Sequence, residues 1–494
     1  MRVPHRKQLT LDCTPVAQVE LNPQCRAPMI PILRGLQYLY SRPQFRKQAL
    51  AWIAEEVLGD ADPERGREGM TLWQILVLAA VRLGCNVTYD ELQDLAENHR
   101  ALLNIMQVGS WEEAAFDWRR IRDNICKVNP QTIQKINELI VAEGHRLEPT
   151  AAERVRGDSF VVETNIHWPT ESSLILDGLT KILQLAPEFA RDVGLPGWRQ
   201  HKSLLKKARQ AAREITRVKK GKNFDARLKA AYRKLFQLVD LVLPRTQLLL
   251  DAALGHLPQD SEADLPSLET ADAYQQLVYW HSVTSHVNGT ARRRVFGGEH
   301  VANRDKLFSL FEPDTELIKR GKVPEPIQFG HPLLVIEDAL GFICHYRILP
   351  LGVQERDILV PEMKELQQRV KGRIRSASFD RGFHSPTNQE ELSALVRDPC
   401  LPMTGSQQSA RQEEQATIEF RQARRLHPGI ESAIHALQSG NGLARCRDHS
   451  SPGYARYIGL GIMGRNIWVL GKLLLARDYP QCAAAETQRV NQVA

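Results

Sequence analysis

The stretch Val155-Arg-Gly-Asp-Ser-Phe-Val-Val-Glu-Thr-Asn-Ile-His167 alternates with a period of two. Phe160, Val162, Thr164 and Ile166 share one face, while Ser159, Glu163, Asn165 and His167 fall mostly on the other, which is the pattern of a strand. Residues 171–256 then read as long helices with few breakers. A hairpin follows, with Leu333–Glu337, a turn at Asp338-Ala-Leu-Gly341, and Phe342–Leu349. Val360–Val370 reads as helix, Ile374–Phe379 as a short strand, Pro386–Val396 as helix and Cys400–Thr404 as a strand. Helices are expected over Glu413–Arg425 and from Pro428 to Gln438, the last stopped by Gly440. This order predicts an α/β fold: a mixed sheet with a helical insertion after its first strand.

Upstream, residues 1–68 are poorly patterned. Pro4, Pro15, Pro23, Pro28, Pro31 and Pro43 interrupt them, and only Phe45–Leu58 reads as a helix. Residues 69–145 turn helical. Thr71 is a candidate cap for a helix with Trp73, Leu76, Val77 and Ala80 on one face. Thr88 and Glu91 form a capping box, and Asn129-Pro130 opens a third helix through Ala142. Compact helices joined by short turns suggest a helix-turn-helix-like unit over 69–150, with an ordinary helical bundle as the alternative.

Three carboxylates stand out. Asp158 is in phase with the apolar face of its strand, where an unpaired carboxylate costs several kcal/mol by the usual burial penalty. Asp380 closes the strand Ile374–Phe379 before a glycine turn, at the strand end where open α/β sheets hold ligands. Glu431 flanks the stripe of Ile430, Ile434 and Leu437. Each has a structural reading of its own: a turn residue after Gly157, an Asp–Arg turn pair, and a first-turn glutamate on a helix dipole. Together, three converging carboxylates would repel unless a hard divalent cation joined them. Two such ions, about 3.5–4 Å apart, suit in-line displacement at phosphorus.

Composition bounds the rest. The chain has 494 residues, 43% hydrophobic, with a net charge of +7 and a mean hydropathy of −0.35. Such a chain has enough apolar material for real cores and about three domains, and it is not collagenous or wholly disordered. The most apolar stretches, Ile75–Val81 and Tyr457–Ala476, are too short or are broken by Arg465, Asn466 and Lys472, so no membrane span is expected. No apolar run follows the basic start, so no secretory signal is expected. The eight cysteines include no C-x-x-C pair and read as reduced thiols.

Residues 199–234 hold 14 Lys and Arg against Glu214 and Asp225. One-sided charge on this scale points to phosphate rather than to a merely solvated helical arm. Lys206, Lys207, Arg209, Arg213, Arg217, Lys219 and Lys220 are the candidate DNA contacts. Arg292-Arg-Arg294 is a smaller basic cluster.

Gly157-Asp-Ser-Phe-Val-Val-Glu-Thr-Asn-Ile-His-Trp-Pro-Thr-Glu-Ser-Ser-Leu174 resembles the first-aspartate segment of bacterial insertion-sequence transposases of the DDE class, ISNCY type. Phe311–Lys322 with Ile327–Gly330 resembles a strand region of that family, and Ser378-Phe-Asp-Arg-Gly-Phe383 resembles its second-aspartate motif. Gly429-Ile-Glu431, Gly442–Arg447 and the closing helix Tyr457–Ala476 resemble its glutamate region. The likeness runs from about residue 70 to 476. It implies a ribonuclease-H-like sheet over 151–170 and 295–476, a helical DNA-binding domain over 69–150, a basic helical insertion over 171–294 and a tail at 477–494.

The resemblance also implies that Asp158, Asp380 and Glu431 are catalytic and bind Mg²⁺ or Mn²⁺, with two ions expected. Water would free a 3′-hydroxyl at an element end, and that hydroxyl would attack target DNA. Partners would be double-stranded DNA (terminal inverted repeats and target) and further copies of the chain, in a bacterial cytoplasm at the nucleoid. Where related enzymes space Tyr, Arg, Glu and Lys around the last acid, this chain has Arg424, His427 and Gln438. Arg424, Arg425 and His435 are candidate phosphate neighbours. The alternatives are a metal-dependent nuclease of the same fold and a non-catalytic DNA-binding descendant.

Overall fold

The opening stretch forms a strand over its first part only: β1 is Arg154–Glu163, with Val155, Phe160, Val161 and Val162 buried, while residues 164–167 fall outside it and buried Val161 interrupts the alternation. The computed structural model describes residues 2–6, 13–59, 62, 69–109, 116–256, 268–319, 326–403, 405, 412 and 416–481. Before β1 come α1 (Met29–Ser41), α2 (Pro43–Leu58), α3 (Leu72–Gly84), α4 (Tyr89–Asn98), α5 (Arg100–Ile105), α6 (Trp118–Lys127) and α7 (Pro130–Leu147). After it come α8 (Glu171–Asp192), α9 (His201–Thr216), α10 (Phe224–His256) and α11 (Leu268–Val295), then β2 (Glu316–Lys319), β3 (Ile327–Asp338) and β4 (Ile343–Ile348). The chain continues through α12 (Glu355–Arg369), β5 (Ser376–Phe379), α13 (Pro386–Leu395) and β6 (Asp398–Cys400). Helices α14 (Ile418–Leu426), α15 (Gly429–His435) and α16 (Ser451–Asp478) close it.

The fold is α/β with a mixed six-stranded sheet, in the order β2-β3-β1-β5-β6, and β4 also pairs with β3. β1 is antiparallel to β3, with Asp158 opposite Val335. It is parallel to β5, with Gly157 opposite Phe379, and β5 is parallel to β6. The β3–β4 hairpin turns where expected. Asp338 accepts the backbone N–H groups of Leu340 and Phe342, and Gly341 takes a φ of +92°. Such a φ is open to glycine at little cost.

Residues 1–165 and 330–494 form one compact unit, and 166–329 form another. In the first, Trp73 and Leu36 share a continuous core with Leu334, Ile336 and Phe379 of the sheet. The helices of 69–147 therefore belong to the body that holds the sheet. Helix α16 packs on α1, α3 and α7 and on β4. It is long and apolar enough to cross a membrane, yet most of its apolar surface is buried inside this unit, consistent with a soluble protein. Glycines let its neighbours approach: a Cβ at Gly471 would stand 1.7 Å from the Pro31 carbonyl oxygen.

The caps read from sequence form. Thr71 and Gln74 make a capping box on α3, Thr88 and Glu91 make one on α4, and the Asn129 side chain accepts the Thr132 N–H at the start of α7. Helix α1 departs from the expectation of a proline-broken segment. Pro31 sits in its first turn, where the N–H groups have no partner within the helix, so proline removes no hydrogen bond there.

The second unit is built on α8, α9, α10 and α11 around Leu179, Ile182, Leu235, Val239, Leu277 and Val287. It runs from Ile166 to Phe329, so it takes in residues 166–170 and 295–329, expected with the sheet, along with 171–294. Of the tail expected at 477–494, residues 482–494 lie outside the described residues, as do Thr404 and 413–415 from two other expected elements.

Candidate active site and cationic surface

The β1–β5 register determines where the two aspartates go. Phe379 is the last residue of β5 and pairs with Gly157, so Asp380 follows beside Asp158. Each carboxylate is oriented in the same way: Asp158 Oδ1 accepts the Ser159 N–H at 2.7 Å, and Asp380 Oδ1 accepts the Arg381 N–H at 2.7 Å. Asp158 is thus a mid-strand residue, not a turn residue, and is half-buried, while Asp380 is exposed. Beyond Asp380 the chain leaves the sheet through a 3-10 turn, Arg381–Phe383, anchored by buried Phe383 against Phe379. β1 runs on alone on that side until Glu163. There the Glu163 N–H donates to the Ala444 carbonyl and the Cys446 N–H donates to the Glu163 carbonyl.

Helix α15 packs on β1 through buried Ile430, Ala433 and Ile434, which leaves Glu431 exposed. His427, just before that helix, reports on the grouping. Burial lowers its pKa, the Asp380 carboxylate opposes that, Arg156 adds to it, and a bond to Ser378 and the Glu431 carboxylate oppose it. The imidazole is therefore within electrostatic reach of both acids. Its Nδ1 lies 3.3 Å from Ser378 Oγ.

The three acids do not gather to the spacing of one ion's donor atoms. Among the described residues, only His345, Glu362 and Glu365 bring such atoms within 4.8 Å of one another. That cluster is already neutralised by protein cations. His345 Nε2 meets Glu362 at 2.5 Å, Arg369 Nη2 lies 2.9 Å from His345 Nδ1, and Arg347 lies 3.6 Å from Glu362. It is an ion-pair network joining β4 to α12, and Arg369 extends it to Glu138 of α7.

Sequence reading passed over Arg156 and Glu337. They face each other across β1 and β3, with Arg156 Nη2 2.6 Å from Glu337 Oε2. Arg156 is on the same side of β1 as Asp158, and its Nη1 donates to the Leu426 carbonyl at the end of α14 at 2.9 Å. The available signal was Glu337 itself, an acid closing the apolar run Leu333–Ile336.

In the second unit, Lys202, Lys206, Arg209 and Arg213 of α9 and Arg217 just past its end line a surface groove, which Glu214 also lines. Their spacing of three to four residues is that of one helical face. Lys202, Lys206, Arg209 and Arg213 are exposed and make no ion pair among the described residues. Lys207 is exposed but outside the groove, and Lys219 and Lys220 lie in the link between α9 and α10. The Arg292–Arg294 cluster is spent on structure: its members pair with Asp240, Glu299 and Glu171. Of the other candidate phosphate neighbours, Arg425 and His435 are exposed and Arg424 is half-buried.

Burial pushes the Cys400 thiol up to about 12, so it stays protonated at neutral pH. The chain matches no protein-family model, no curated protein and no solved structure.

Proposed function

We propose that the chain is a DNA transposase of the DDE class, acting on DNA through Asp158, Asp380 and Glu431. The observation that carries the reading is the parallel β1–β5 register, which sets Asp380 beside Asp158 at a strand end. The strand order β4-β3-β1-β5-β6, with β3 antiparallel to β1 and to β4 and with β5 and β6 parallel to β1, supports a ribonuclease-H-like sheet. A helix carrying the third acid against β1 supports it further.

The chemistry of the donor set suits a hard cation, since three carboxylates offer only oxygen, while their oxygens stand farther apart than one ion's donors and would have to draw together on binding it. Asp158, Asp380 and Glu431 would hold Mg²⁺ or Mn²⁺, which supplies Lewis-acid stabilisation and lowers the pKa of a bound water. The chain does the rest. Hydrogen bonds from Ser159 and Arg381 fix the two aspartates. The α9 row would hold the DNA backbone without regard to sequence. The product of the first step would be a 3′-hydroxyl, and the second would join it to target DNA, within a homodimer or larger assembly.

The test uses DNA that carries the sequences bordering the reading frame. Incubation with Mg²⁺ or Mn²⁺ should yield a free 3′-hydroxyl at a repeat end and then joined product. Cleavage without joining would favour the nuclease, and binding without cleavage the non-catalytic descendant.

A further inference from the structure

We infer that Arg156 is the positioning residue that ties the helix of Glu431 to the strand of Asp158. This rests on the reading of the three acids as a metal site. Arg156 precedes Asp158 by two residues, so both side chains leave β1 on the same face. Its guanidinium is held at two ends. On one, Nε and Nη2 meet Glu337 Oε2 at 2.7 and 2.6 Å. On the other, Nη1 donates to the Leu426 carbonyl at 2.9 Å, at the corner between α14 and α15.

Glu337 makes a firm anchor because it is 3% exposed and lies directly opposite Arg156 in the β1–β3 register. Burial pushes its carboxyl up, and the charges of Arg156 and Arg465 work to keep it ionised. The corner is shaped to the guanidinium. A Cβ on Gly429 would stand 2.0 Å from Arg156 Nη1, so only glycine admits the side chain without a shift. Glu431 follows two residues later, in the first turn of α15. A displaced corner therefore displaces the third acid. Lysine could not replace Arg156, since one ammonium cannot span both partners in a fixed fork.

The test compares wild type, Gly429→Ala and the double variant Arg156→Gln/Glu337→Gln, which removes both charges of the pair and also takes from Arg465 the Glu337 carboxylate that supports its charge. Mn²⁺ affinity is read by calorimetry, with thermal unfolding and DNA affinity measured alongside. Both variants should bind Mn²⁺ about 10–100-fold more weakly, the usual effect of removing a partner that orients metal ligands. DNA affinity should stay unchanged. If the double variant fails to fold, Gly429→Ala, which adds one methyl beside the guanidinium, decides alone. Wild-type Mn²⁺ affinity in folded Gly429→Ala would overturn the inference while leaving the acids in place. A wild type that binds no Mn²⁺, or an Asp158→Asn protein that binds it equally well, would overturn the metal-site reading and this inference with it.

Discussion

Gly157 lies opposite Phe379 in the parallel β1–β5 pair, and a Cβ at residue 157 would stand 2.4 Å from the Phe379 ring. The ring is fully buried and its own neighbour in sequence is Asp380. The close approach of ring and strand thus sets the height at which β5 delivers its terminal acid.

Gly157→Ala should consequently lower stability by about 1–3 kcal/mol, the usual cost of forcing one methyl into a packed core. Thermal unfolding checks this. A melting temperature equal to wild type would mean that Phe379 gives way freely and that the register tolerates a shift.

The α9 row makes a prediction with an internal control. Changing Lys202, Lys206, Arg209 and Arg213 to Gln should flatten the slope of log affinity against log salt by about 0.9 for each phosphate lost. The triple change Lys207, Lys219 and Lys220 to Gln removes nearly as much charge from outside the groove. It should alter the slope by less than about one unit, on the same counterion rule. Affinity should fall alike for specific and random DNA. Equal slopes in the two variants would assign the effect to net charge rather than to the row.

A third prediction concerns acid. Burial alone would raise the Glu362 pKa, but the bond to His345 and the charges of His345, Arg347 and Arg369 bring it below the ordinary value of 4.5. A lowered folded pKa stabilises above the unfolded value and loses that contribution as pH falls through the folded one. Glu362→Gln should therefore cost about 1–3 kcal/mol at pH 7, as a buried hydrogen bond to a charged group does. The gap from wild type should narrow below about pH 4.5, where the unfolded carboxyl begins to protonate. Parallel melting curves against pH for the two proteins would contradict this.

Local signals were legible where one periodicity or one cap dominates. The alternation of Phe160 and Val162, the Thr88–Glu91 box and the Asp338–Gly341 turn each form as the residues dictate. Helix α1 was hidden because Pro31 signals a break by composition, while its position in the first turn makes it harmless. The placement of Asp380 beside Asp158 was beyond any local pattern, since it depends on a pairing between strands more than two hundred residues apart. The role of Arg156 was hidden for the same reason, because its partners Glu337 and Leu426 come from distant segments. The basic run showed its charge in sequence. Only the helix phase separates the groove row from Lys207.

The central claim is tested most directly by metal-dependent cleavage of flanking-repeat DNA by wild type and by Asp158→Asn, Asp380→Asn and Glu431→Gln. Each substitution keeps size and hydrogen bonding but removes a charge that would hold the cation. All three variants should lose cleavage, in Mg²⁺ and in Mn²⁺, while binding the DNA about as tightly as wild type. Cleavage at the wild-type rate in any one of them would remove that acid from the site, and cleavage persisting in excess chelator would contradict the metal-dependent account as a whole.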